Sequence, residues 1–203
     1  MEKQPDKNMV KEPFADYGSY TYADYLTWQL DEMVELIRGK VFRKAAAAPR
    51  RIHEELTVIL VARFYEFLKG KTCKVYTAPF DVRLPVSSKK HEDINTVVQP
   101  DLCVVCDPEK LDDLGCVGAP DLIVEILSPG NNKKELKNKY EVYESSGVGE
   151  YWIIHPDERT LLIYTLVGGQ YCASRLFTMG DRISSHALPG FELELDEVFD
   201  ELL

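Results

Sequence analysis

No apolar run in these 203 residues approaches the roughly 20 that a helix needs to cross a bilayer. Met1 to Pro13 is polar and charged, so it lacks the pattern of a secretory leader. Residues 1–18 read instead as a short disordered or extended tail, and the chain is expected in the cytoplasm. No internal repeat is evident. Basic charge is in deficit: the net charge is −10. That excludes a general nucleic-acid coating protein, whose affinity comes from a basic surface. A local cleft can still be positive, and bound cations are themselves large local charges. The five cysteines form neither a disulfide framework nor a pair of metal knuckles. Cys103 and Cys106 make a lone CxxC in an apolar, β-branched run. On a strand, positions three apart face opposite sides, so these thiols point apart and read as buried and free.

What remains is an ordinary globular composition, 45% hydrophobic and 29% charged. It suits one domain over residues 19–203, large enough to bury a core. Tyr20 to Met33 reads as a short helix. Glu35 to Phe42 reads as a hairpin turning at Arg38-Gly39, and Ala45 to Pro49 as a small-residue connection. From Arg51 to Leu68, the residues Ile52, Leu56, Ile59, Leu60, Phe64 and Leu68 recur at helical spacing, and Gly70 ends the helix. Cys73 to Tyr76 and Phe80 to Leu84 read as strands. Pro85 to Asn95 is a polar loop. Val97 to Cys106 and Leu122 to Leu127 are near-continuous apolar runs, as expected of central strands buried on both faces. A helix follows from about Lys133 to Ser146, with Asn132 as its cap. Tyr151 to Ile154, Thr160 to Leu166 and Gln170 to Ala173 complete the strands, and Leu188 onward reads as a strand or turn with a closing helix. The order predicts a mixed α/β domain built on one sheet.

Two acids stand out in this frame. Asp101 heads one apolar strand, and Glu125 lies inside the next. A charge within a buried strand is costly unless it is paired, bound to a metal or placed at a cleft. Two carboxylates on rigid strands, with the amine of Lys139 nearby, can bind a hard divalent cation and present it to a phosphate ester. An internal ion pair is the alternative for Glu125. Lys139 shares a helix face with Glu135 and Tyr143, and a surface Glu–Lys pair would equally explain that spacing. Basic residues also gather at Arg50-Arg51 with His53, at Lys89-Lys90-His91, and at Lys133, Lys134, Lys137 and Lys139. Each such cluster is commonly a solvated surface.

Longer stretches carry a resemblance. Gln99-Pro100-Asp101 comes first, then Gly118 to Pro129 with Asp121-Leu122-Ile123-Val124-Glu125 at its centre. Lys139 and Tyr143 follow, then Gly147-Val148-Gly149-Glu150-Tyr151-Trp152-Ile153-Ile154. Together these resemble the Uma2 family (DUF820) of restriction endonuclease-like proteins, within the PD-(D/E)XK nuclease superfamily. The resemblance runs from about Tyr20 to Tyr171 and includes Glu35 to Gly39 and the helix bearing His53. It implies an α/β, restriction endonuclease-like fold: a mixed central sheet flanked by helices. Asp101 matches the motif aspartate and Glu125 the second acid. The superfamily usually has a lysine two residues after that acid, where this chain has Leu127; Lys139 matches a lysine displaced to the next helix.

The implied activity is metal-dependent hydrolysis of DNA phosphodiesters by Asp101, Glu125 and Lys139. Asp101, Glu125 and the main-chain carbonyl of Ile126 are the expected ligands of Mg²⁺ or Mn²⁺. Glu35 and His53 are additional cleft candidates, and Tyr143 is expected to pack. The resemblance further implies a homodimer; Trp152, Tyr164 and Tyr171 could form an aromatic surface for it, and core packing explains them at least as well. The competing expectation is a nuclease-fold binding or regulatory module without catalysis.

Overall fold

The computed structural model describes residues 19–30, 33–43, 50–128, 133–200 and 202. The expected N-terminal tail, the Ala45–Pro49 connection and the Asn132 cap lie outside them. Periodicity places the two long helices well. Helix α2 spans Arg51–Leu68 and helix α3 spans Lys133–Ser146, with α1 at Tyr22–Tyr25 and α4 at Leu195–Phe199. Helix α1 is much shorter than the expected Tyr20–Met33. Thr21 and Asp24 close a capping box at its start. The aromatic residues around it then pack on one another and on Leu36, Ile94 and Val97. Those tertiary contacts override the helical pattern.

The single expected sheet is two large sheets and a small hairpin. One sheet runs in the order Gln170–Ala173, Thr160–Val167, Glu150–His155, Leu122–Ile126, Leu102–Val105, Lys74–Thr77, with Phe177–Thr178 beside Thr160–Val167. The other runs Lys40–Arg43, Val34–Ile37, Val97–Val98, Val82–Arg83, Gly115–Val117, Leu111–Asp112. The expected continuous strand from Val97 to Cys106 is split between them, with Val97–Val98 in one sheet and Leu102–Val105 in the other. Gln99-Pro100-Asp101 makes the crossing. Pro100 has no N–H for a ladder, so an apolar run cannot pass through it as one central strand.

Strand Leu122–Ile126 sits at the middle of the first sheet, parallel to Glu150–His155 and antiparallel to Leu102–Val105. The parallel pairing requires a crossover, and α3 supplies it. Alternation then sorts the side chains. Leu102, Val104, Leu122, Val124 and Trp152 face α2, which buries Leu56, Leu60, Phe64 and Leu68 against them. Cys103, Ile123, Tyr151 and Ile153 face Val142 and Tyr143 of α3. The hairpin Arg182–Ser184 with Glu192–Glu194, and α4 after it, add Ile183, Leu193, Val198 and Phe199 to the α2 side. At Arg38-Gly39 the predicted turn has both residues at positive φ, 51° and 76°. A Cβ on Gly39 would meet Ser19 Oγ at 2.1 Å, so only glycine fits there.

One expectation is corrected here. Cys103 and Cys106 do point to opposite faces, but Cys106 is bonded to Cys73. The strand Lys74–Thr77 runs antiparallel to Leu102–Val105 and pairs Lys74 with Val105, which brings the two flanking cysteines together. Of the two roles open to the three aromatic residues, core packing holds for Trp152 and Tyr171, and Tyr164 is half-buried. Trp152 is wholly buried and Tyr171 is 9% exposed, so both belong to the core.

Candidate active site

Asp101 follows the crossing between the two sheets, immediately before Leu102–Val105. Leu102 pairs with Val124 in an antiparallel ladder, so continuing that register sets Asp101 opposite Glu125. Glu35 arrives from the second sheet, on strand Val34–Ile37. Lys139 comes down from α3, on the face it shares with Val142 and Tyr143. All four are buried, with no more than 6% of their surface exposed.

The hydrogen bonds tie them together. Lys139 Nζ donates to Glu125 Oε1 at 2.8 Å and lies 3.1 Å from Glu35 Oε1. Tyr143 donates its phenol to the same Glu125 oxygen at 2.8 Å. Glu35 Oε1 also accepts the backbone N–H of Gln99 at 3.0 Å. Asp101 Oδ2 accepts the backbone N–H of Ile126 at 2.8 Å, and His53 Nε2 from α2 lies 3.3 Å from that oxygen. Every sequence-predicted site residue therefore falls in one cluster. Ile126 meets Asp101 through its N–H; Leu127, two residues after Glu125, is buried among apolar side chains.

Electrostatics decide the state of Lys139. Burial alone pulls an ammonium toward neutrality. The carboxylates of Glu125, Glu35 and Asp101 outweigh that, and the pKa is driven well above 10.5. Lys139 is thus a fixed ammonium at neutral pH and not a base. Burial, and then Glu125 and Glu35, push the Tyr143 phenol well above its ordinary range, so it stays a proton donor.

Three buried carboxylates stand against one ammonium, a surplus of negative charge that suits a cation. The donors are hard oxygens, as Mg²⁺ or Mn²⁺ requires. Among the described residues no three His, Cys, Asp or Glu side chains converge as a ready cage. The fit therefore rests on donor chemistry and charge.

Sequence reasoning missed two supports. Tyr143 was expected only to pack, yet it bonds Glu125; its position four residues after Lys139 was the available signal. Gln99 was read as part of a motif, but its side chain also donates to Asp81 Oδ1 at 2.8 Å and to Tyr25 Oη at 3.2 Å. Tyr22 and Tyr25 donate to the same Asp81 carboxylate. The basic clusters mostly remain at the surface: Arg50 pairs with Asp157 at 2.7 Å, Lys133 and Lys134 are exposed, and Lys139 alone of its group turns inward.

Comparison with known proteins agrees with this frame. The Uma2 family model, described as "Putative restriction endonuclease", matches residues 22–196. An uncharacterized protein of Synechocystis sp., slr1290, is 24% identical over 133 residues, 64% of this chain; the chain spans 65% of that protein's length. The crystal structure of a "putative nuclease belonging to DUF820" from Anabaena variabilis superposes with a TM-score of 0.71. It is 19% identical, and the match covers 91% of this chain and 99% of that one. At that identity it shows a shared fold.

Proposed function

This chain belongs to the Uma2 family, and from that premise we propose that it is a metal-dependent endonuclease hydrolysing DNA phosphodiesters. The observation that carries the proposal is the buried cluster of Asp101, Glu125 and Glu35 around Lys139. Asp101, Glu125 and the main-chain carbonyl of Ile126 would hold Mg²⁺ or Mn²⁺. When bound, such an ion lowers the pKa of a water and polarises a phosphoryl oxygen. The chain's own contribution is positional and electrostatic. Tyr143 and Lys139 fix the Glu125 carboxylate by two hydrogen bonds to one oxygen. The Ile126 N–H and His53 hold Asp101. The Lys139 ammonium would stabilise charge developing on the phosphoryl group, or orient the attacking water. A homodimer and a cytoplasmic location belong to the same proposal, with any dimer interface lying elsewhere than Trp152 and Tyr171.

The test is nicking of supercoiled plasmid with Mg²⁺ or Mn²⁺ by wild type, Asp101→Asn and Lys139→Ala. Nicking by the wild type that both variants lose supports the proposal. No cleavage by folded wild type, or cleavage indifferent to Asp101→Asn, overturns it.

A second reading, a nuclease-fold binding or regulatory module without catalysis, draws on one observation. Lys139 is already engaged by two carboxylates, an arrangement that is complete as an ion pair. Titration with Mg²⁺ and Mn²⁺ separates the two, because an inert module need not bind either ion.

A further inference from the structure

A cavity of about 220 Å³ opens beside the cluster, walled by Tyr25, Trp28, Leu30, Met33, Val34 and Gln99. It is below the roughly 300–1,000 Å³ of pockets for drug-sized ligands, so it has room for one small ring system. Its walls are of two kinds. The rings of Tyr25 and Trp28 lie with centroids 5.5 Å apart, and Trp28 is braced from behind by an edge contact with Tyr20 at 5.3 Å. These are rigid aromatic surfaces of the type on which unstacked bases rest. Gln99 supplies a carboxamide, the polar edge of the wall. Its plane is set by bonds to Asp81 and Tyr25.

Backbone continuity links this cavity to the carboxylates. Val34 directly precedes Glu35. Gln99 stands two residues before Asp101, and its N–H is bonded to Glu35. The Gln99 wall of the cavity is thus joined to the Glu35 carboxylate by one backbone hydrogen bond. The charge of −10 bears on the same question. A strongly acidic chain gains little from neutralising phosphates along a duplex. Stacking is tolerant of base identity, because every base has a π-face.

We propose that this cavity takes one unpaired base of a polynucleotide strand, next to the phosphate that the carboxylate cluster would address. The substrate class is single-stranded nucleic acid, or a duplex with a base extruded from its stack. The assignment rests on the nuclease reading for its meaning, but it is tested by binding and not by cleavage.

Trp28 provides the probe. The chain has two tryptophans, and Trp152 is wholly buried in the core on the α2 side, so a ligand-dependent change in emission reports on Trp28. Full-length protein is titrated with short oligothymidylate and with a base-free deoxyribose-phosphate oligomer of equal length. Oligothymidylate quenches Trp28, and the base-free strand binds at least about tenfold more weakly, as loss of base–aromatic stacking requires. With end-labelled oligothymidylate followed by anisotropy, Trp28→Ala weakens binding by a similar factor and Trp28→Phe restores most of it. Equal binding of the two oligomers by wild type overturns the proposal, whatever the variants do. So does binding that leaves Trp28 emission unchanged. Base-dependent binding without cleavage would leave this site standing and remove the nuclease reading; cleavage with base-independent binding would do the reverse.

Discussion

Lys139 Nζ stands 2.8 Å from Glu125 Oε1, and neither residue has more than 4% of its surface in contact with solvent. The two come from elements joined by the crossover itself, strand Leu122–Ile126 and helix α3. Their meeting is therefore built into the parallel connection that makes the sheet. Removing one partner of such a pair leaves a buried charge uncompensated, at a cost of about 3–5 kcal/mol. Lys139→Met is expected to destabilise the fold by that amount at neutral pH, since Glu125 and Glu35 both lose their cation. Adding Glu125→Gln to it should cost less than the sum of the single changes, with a coupling of roughly 1–3 kcal/mol. Urea denaturation of the four proteins measures this; strict additivity would show that the pair contributes nothing as a pair.

The same cluster sets an alkaline limit. The folded-state pKa of Lys139 lies above its ordinary 10.5 because three carboxylates outweigh the opposing effect of burial. A group raised in this way contributes its full stabilisation below the unfolded pKa and loses it as pH rises through the folded one. Tyr143 and Tyr151 act in the same direction, since burial, and then Glu125, raise both phenols above 10.0. Above that pH the unfolded chain gives up protons that the folded chain retains, so stability must fall. The urea midpoint should be insensitive to these three groups up to about pH 9 and drop steeply above about pH 10. Tyrosine ultraviolet titration should show the buried phenols ionising only as the protein unfolds. Reversible ionisation of all tyrosines near their ordinary value, with the fold intact, would contradict this.

Much of this architecture is legible in the sequence because it is local. Leu56, Leu60, Phe64 and Leu68 mark one helix face, and α2 has the bounds their spacing predicts. Glu125 within Leu122–Ile126 is conspicuous because a charge there needs a partner. The identity of that partner is not local: Lys139 lies 14 residues on, and its spacing alone is equally that of a surface pair. The division of Val97–Val98 from Leu102–Val105 turned on Pro100, whose lack of an N–H is a sequence fact that an apolar run obscures. Helix α1 stops at Tyr25 because aromatic contacts formed by tertiary packing compete with it. The bond between Cys73 and Cys106 depends on strand register, which cysteine spacing does not contain.

That disulfide closes a separation of 33 residues. In the chain-entropy account a loop of this length restricts the unfolded state by about 3–4 kcal/mol. Reduction is expected to lower the urea midpoint correspondingly, and Cys73→Ser should reproduce the loss under oxidising conditions. Such bonds are rare where thiols are kept reduced. Denaturation with and without dithiothreitol decides it: identical curves would mean that the bond carries no stability.

His53 gives the sharpest separation between holding a ligand and doing chemistry. It reaches Asp101 Oδ2 from α2, 3.3 Å away, on the oxygen that also accepts the Ile126 N–H. Groups that orient a metal-binding carboxylate typically alter metal affinity or activity by about 10–100-fold when lost. Within the proposed function, His53→Ala should raise the Mg²⁺ concentration needed for half-maximal nicking by that factor, with the rate at saturating Mg²⁺ close to wild type. Asp101→Asn should abolish nicking at any Mg²⁺ concentration, because it replaces an anionic oxygen ligand. Nicking rate as a function of Mg²⁺ for the three proteins distinguishes these cases. A fall in the saturated rate of His53→Ala at unchanged Mg²⁺ dependence would move His53 from positioning Asp101 to acting on the water or phosphate itself.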